Sequence, residues 1–127
     1  MTPAAYVRSV IEAKIDAIPN LSLEHVHTFM IDPNDNTKDE LILVISELVD
    51  GGSSYGNDQE LNIMRQVQLI FYYPSGYEFD MSEIEKSIKQ VLFDQRIRCF
   101  SDAGHVMTPD NQNIINTLKF KYTEEEV

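Results

Sequence analysis

Three consecutive stretches between residues 41 and 73 decide the fold: LILVISELV (41–49), DGGSSYGNDQE (50–60) and, after Leu61, NIMRQVQLIFYY (62–73). The first opens on five apolar residues in a row, which predicts a strand over 41–49 buried on both faces. In the third, Ile63, Val67, Leu69, Phe71 and Tyr73 fall at even spacings, so one face of a long strand over 62–73 meets a core. The middle stretch has three glycines and no apolar residue except Tyr55. It cannot bury enough surface to hold itself rigid. Together the three read as a hairpin with an extended, flexible tip at 50–60.

Helical periodicity flanks this hairpin on both sides. Thr2 before Pro3 supplies a capping hydroxyl and a first-turn proline whose missing N–H costs nothing there. Val7, Val10, Ile11, Ile15 and Ile18 then form one apolar stripe, while Arg8, Glu12, Lys14 and Asp16 stay wet, which predicts a helix over 3–18 ended by Pro19 and Asn20. After the break at Pro74, Ser75 and Gly76, Asp80 opens a second helix over 81–94, with Glu83 at capping-box spacing. Met81, Ile84, Ile88, Val91 and Leu92 are its buried stripe.

The remaining segments alternate as strands do. Residues 24–31 place His25, His27 and Phe29 on one face and Val26, Thr28 and Met30 on the other. A polar turn over 32–40 follows. Residues 96–100 and 105–108 read as strand interrupted at 101–104. Ile114, Leu118, Phe120 and Tyr122 alternate with Thr117, Lys119 and Lys121 in a last strand, and residues 123–127 are expected to be a disordered tail. The order α-β-β-β-α-β-β, over a single domain 1–127, predicts an α+β fold. Its sheet is mainly antiparallel, with both helices on one face.

Composition narrows the function. With 127 residues, 43% of them apolar, the chain can build a core without disulfides or metal. Cys99 is the only cysteine, and the first twenty residues lack the pattern of a secretory leader, so an intracellular protein is expected. Ten basic against twenty-one acidic residues give a formal charge of −11, which disfavours nucleic-acid binding. An acidic wall would nevertheless let a polyanion pass without sticking.

The candidate chemical sites are each weaker than their structural alternatives. Asp32, Asn34 and Asn36 begin as a calcium loop does, but Thr37 replaces the glycine and Leu43 the bidentate glutamate that such a loop needs. His25 and His27 have a zinc-compatible spacing, yet a third ligand from His105, Asp102 or Cys99 requires neighbouring strands that the sequence does not reveal. Basic neighbours could activate Cys99, although a free cysteine is more often buried. No nucleophile elbow surrounds any serine. Gly51 and Gly52 lack the lysine of a phosphate loop and stand among Asp50, Asp58 and Glu60. Neither a catalytic residue nor a metal or other cofactor is therefore expected, and added calcium or zinc is expected to leave the melting temperature unchanged.

The helix TPAAYVRSVIEAKIDAIPNL, the long hairpin around DGGSSYGND, the helix DMSEIEKSIKQVLF and the closing strand pair ending NTLKFKY together resemble small tail proteins of siphophages and of prophages in Gram-positive bacteria, in particular tail-completion or tail-terminator proteins. The resemblance covers nearly the whole chain and rests on segment order, size and acidity. It implies a non-enzymatic structural subunit that forms a ring, commonly a hexamer, at the head-proximal end of the tail. Its partners would be copies of itself, the tail tube and the head connector. It would reside in the host cytoplasm during assembly and then in the virion tail, with DNA passing through an acidic lumen. Asp50, Gly51, Gly52, Tyr55, Asn57 and Asp58, at the hairpin tip, are the expected subunit-interface residues. Two other classes compete: an acidic mimic of DNA that inhibits a nucleic-acid enzyme, and a small metal-dependent protein using the turn from Asp32 to Glu40.

Overall fold

The computed structural model describes residues 2–31, 33, 35, 40–48, 53–56, 59–109 and 113–125, and of residues 53–56, 59–63 and 125 the backbone alone. The central hairpin is its spine. Strand β2 (Ile42–Glu47) pairs antiparallel with β4 (Gln59–Tyr73), Leu43 opposite Phe71 and Ile45 opposite Leu69. Leu43, Val44 and Ile45 are all buried, as the unbroken apolar run predicts.

Strand β7 (Ile114–Glu125) runs along the other side of β4, with Leu69 opposite Leu118 and Val67 opposite Phe120. Strand β5 (Arg98–Asp102) and the two-residue β6 (Val106–Met107) add to β7, and β1 (Val26–Thr28) adds to β2. The seven-stranded sheet follows the order β1-β2-β4-β7-β5, with β3 (Ser53–Gly56) paired to β4 and β6 to β7. Every pairing is antiparallel except β1 with β2. The fold is thus α+β with a mainly antiparallel sheet.

Both helices lie on one face of that sheet and touch each other. Helix α1 (Pro3–Ala13) starts where expected: the Thr2 hydroxyl accepts the Ala5 amide at 3.2 Å, and Pro3 occupies the first turn. Helix α2 (Met81–Phe93) is capped by the Asp80 carboxylate, which accepts the Ser82 amide at 3.0 Å. Ala4, Val7 and Ile11 of α1 and Ile84, Ile88 and Leu92 of α2 press onto Leu43, Ile45, Val67, Leu69, Phe71, Leu118 and Phe120 in one core. Each large apolar side chain among them contributes about 1.5–3 kcal/mol when fully buried.

Several boundaries differ from the sequence-based expectation. Helix α1 stops at Ala13 and continues as a 3₁₀ turn over Ile15–Ala17. Pro19 holds Ile18 extended (φ −104°, ψ 115°), so the last turn tightens and breaks off. The strand expected over 24–31 shrinks to Val26–Thr28 after a 3₁₀ turn over Leu23–His25, because Phe29 turns to a φ of +69° and ends the ladder. Strand β1 also pairs parallel, which demands a crossover rather than a hairpin between β1 and β2.

The hairpin tip is not wholly a loop. Ser53–Gly56 form strand β3 against β4, with Ser53 opposite Ile63 and Gly56 opposite Gln59. A backbone ladder needs no apolar side chains, so low hydrophobicity did not exclude it. Asp50, Gly51, Gly52, Asn57 and Asp58 lie outside the described residues. The expected tail is likewise strand as far as Glu125, for β7 follows β4 from Tyr73 back to Asn62 and Arg65 Nε meets Glu124 Oε2 at 2.9 Å. Residues 126 and 127 lie outside the described residues. Strands β3 and β6 make the observed order α-β-β-β-β-α-β-β-β.

Candidate functional site

Two polar clusters stand out, one at each end of the sheet. The first grows from the turn that leads into β1. His25 closes the 3₁₀ turn over Leu23–His25 and His27 sits in β1, and Asp35 and Glu40, between β1 and β2 in the chain, reach these rings. His25 Nδ1 lies 2.9 Å from Asp35 Oδ1, and His27 Nε2 is hydrogen-bonded to Asp35 Oδ2. His25 Nε2 faces Glu40 Oε2 at 2.7 Å and Glu24 Oε1 at 3.5 Å. The side chains of His25 and Asp35 are only 9% and 6% exposed, whereas Glu40 and Glu24 reach solvent.

Burial opposes charge on the His25 ring, but hydrogen bonds and charge from Asp35 and Glu40 outweigh it and hold the pKa above the ordinary histidine value. With a carboxylate at each ring nitrogen, the imidazolium satisfies both contacts by donating from Nδ1 and Nε2. The histidine pair is therefore joined by carboxylates from its own turn. The third ligands considered from sequence, His105, Asp102 and Cys99, sit in or beside β5 and β6 at the opposite edge. Four strand spacings of ~4.8 Å, about 19 Å, separate β1 from β5. Asp32, Asn34, Asn36 and Thr37, the residues of the calcium comparison, lie outside the described residues.

The second cluster surrounds Glu85 of α2, a carboxylate 4% exposed. Its Oε2 accepts the Tyr73 hydroxyl and the His105 Nε2–H, the latter at 2.8 Å, and its Oε1 accepts Asn116 Nδ2–H at 2.9 Å. Burial, then the hydrogen bond and charge of Glu85, push the Tyr73 pKa far upward, so the phenol keeps its proton and donates. Outside this knot, Lys89 Nζ pairs with Asp102 Oδ2 at 2.9 Å, and a cleft of about 590 Å³ opens between Asp80, Lys86, Lys89, Asp102 and His105. Ser82 on its wall donates to Asp80 at 2.8 Å, which leaves that hydroxyl tied to a helix cap. The knot joins α2 to β4 and β7, a structural role.

No protein-family model and no curated protein matches this chain.

Cys99 is half-buried against the core, its thiol directed at the Ser101 carbonyl at 3.4 Å. Tyr55 belongs to β3. Sequence reasoning named the turn from Asp32 to Glu40 as a metal candidate without singling out Asp35, and passed over Glu24, Glu85 and Asn116. For two of these a signal existed. Glu85 falls within the arc of Ile84, Ile88 and Leu92, and Asn116 falls in the alternation of Ile114, Leu118 and Phe120. A polar residue at a core position announces a buried hydrogen-bond network.

Proposed function

We propose that this chain is a structural assembly subunit and not an enzyme, a ring-forming protein of the siphophage tail-completion or tail-terminator type that packs against copies of itself and against neighbouring tail components. One observation carries the reading. Both helices cover the same face of the sheet, and across the other face Ile42, Tyr72, Ile115 and Val106 stand in one register row over β2, β4, β7 and β6. Val106 is 57% exposed, and Phe100, whose ring the Lys121 ammonium approaches at 5.7 Å, is 43% exposed.

Val44 and Ile70, paired two positions along, extend this apolar strip on the same face, and an apolar strip with exposed members is what a subunit contact requires. Gln66, Gln68, Thr117, Lys119 and Lys121 would form its polar surround on β4 and β7. The formal charge of −11 suits a lumen through which DNA passes without adhering. A DNA mimic is less well supported, since Arg98, Lys119 and Lys121 are the charged side chains that β4, β5 and β7 place on this face among the described side chains.

Molar mass in solution over a concentration series, followed by electron microscopy of the largest species, tests the proposal. Rings are expected for the parent protein. Val106→Glu alters an exposed position and should abolish rings without lowering the melting temperature. A parent protein that stays monomeric at every concentration and forms no ring with tail components would refute the reading, as would rings that survive the variant unchanged.

A further inference from the structure

We propose that His25 Nε2, Glu40 and Glu24 form a binding site for a divalent cation of the zinc class, with Asp35 positioning the imidazole from behind. The three ligand groups offer donor atoms that all lie within 4.8 Å of one another. Two ligands each ~2.0 Å from a tetrahedral ion stand about 3.3 Å apart. The observed separations from Nε2, 2.7 Å to Glu40 and 3.5 Å to Glu24, bracket that value, so small side-chain rotations suffice to receive an ion.

The site has the construction of a metal centre and not merely a surplus of acid. Asp35, 6% exposed in its side chain, accepts the Nδ1–H of His25, which leaves the Nε2 lone pair directed at the two glutamates once an ion takes the place of the Nε2 proton. A carboxylate behind a ligating histidine fixes tautomer and ring orientation in the same way in known metal sites. Glu40 and Glu24 are 53% and 74% exposed, which provides an entry path and room for a water in the fourth position. Among the described residues no lysine or arginine forms an ion pair with either glutamate. One imidazole with two carboxylates suits zinc and similar borderline cations, while calcium and magnesium favour sites made wholly of oxygen.

The test is isothermal titration of zinc chloride into the full chain after dialysis against chelator, with calcium chloride titrated in parallel. One zinc ion per chain should bind, calcium should not, and the melting temperature should rise with zinc. Glu40→Gln and Glu24→Gln change exposed carboxylates and should each weaken zinc binding about tenfold or more, and Asp35→Asn by about 10- to 100-fold. His25→Gln should abolish binding, and His105→Gln, at the far edge of the sheet, should leave it unchanged. Absence of zinc binding at 100-micromolar metal, a scale at which about 5 kcal/mol of affinity would be detected, overturns the proposal. So does zinc affinity that is unaltered in both Glu24→Gln and Glu40→Gln, since the ion would then be held elsewhere.

Discussion

Replacing Glu85 with leucine should unlock the join between α2 and the sheet. The carboxylate gathers three donors at a site where Tyr73 is 0% and Asn116 1% exposed. Leucine fills similar space but accepts nothing. His105, with 37% of its side chain exposed, can turn to water, whereas the Tyr73 hydroxyl has only the Met81 carbonyl at 3.5 Å to fall back on. A buried donor left without its acceptor costs about 1–3 kcal/mol. Tyr73 and Asn116 together therefore lose about 2–6 kcal/mol, offset by roughly 1–2 kcal/mol from burying an apolar side chain in place of a carboxylate. The central expectation, taking the middle of each range, is about 2.5 kcal/mol of destabilisation, or roughly 10 °C for a domain of this size. Tyr73→Phe removes one donor and should cost about 1–2 kcal/mol. Once Tyr73→Phe has taken the hydroxyl away, Glu85→Leu no longer strands it, so the double variant should lose about 1–2 kcal/mol less than the sum of the single losses. Urea unfolding followed by circular dichroism measures all four proteins. Additivity within about 0.5 kcal/mol, or a Glu85→Leu variant as stable as the parent, would show that the carboxylate does not hold these donors.

Three further outcomes are expected. Replacing residues 51–59 by an Asn-Gly turn removes β3 and the first residue of β4 but touches none of the described core residues; thermal unfolding should be little changed, while complementation of a tail-defective phage should fail if the tip contacts a neighbour. Asp102 is partly desolvated, which raises its pKa, but the Lys89 ammonium, the Gly104 amide and Asn116 prevail and hold it below the ordinary carboxylate value. Its stabilisation is thus complete above the unfolded value of 3.8 and is lost as the pH falls through the lower folded value. Asp102→Asn should cost under about 1 kcal/mol near neutral pH, since Lys89 and Asp102 are 37% and 41% exposed, and the gap to the parent should close on acid titration. Thr2→Ala deletes the hydroxyl that accepts the Ala5 amide and should cost about 1 kcal/mol by chemical denaturation, with no effect if the helix start is already frayed.

Periodicity made most of the sheet and both helices legible. In Val67, Leu69, Phe71 and Tyr73 the even spacing survives intact as a buried face, and in Ile84, Ile88 and Leu92 the helical spacing does the same. Misjudged segments are those where backbone conformation departs from the run of side chains. Phe29 at φ +69° ends β1 although its neighbours alternate, and the polar Ser53–Gly56 stretch enters the sheet through a backbone ladder. The candidate site was half visible: His25 and His27 are conspicuous, but their partners come from a turn whose Asp35 and Glu40 have no special spacing from them.

The sequence by itself determined which apolar residues of the main elements face the core, where α1 and α2 begin, and that strands over 41–49 and 62–73 form a hairpin, because side-chain periodicity within a segment and the cap and turn residues beside it set each of these. Only the tertiary structure decided that β1 joins β2 in parallel, that His25 meets Asp35 and Glu40 instead of Cys99 or His105, and that Glu85 gathers donors from β4 and β7. Strand order and crossover direction bring these groups together over 10 to 31 positions of sequence in the hydrogen bonds concerned. Short-range spacing says which side chains are buried. Which polar groups are buried together depends on the path of the chain between them.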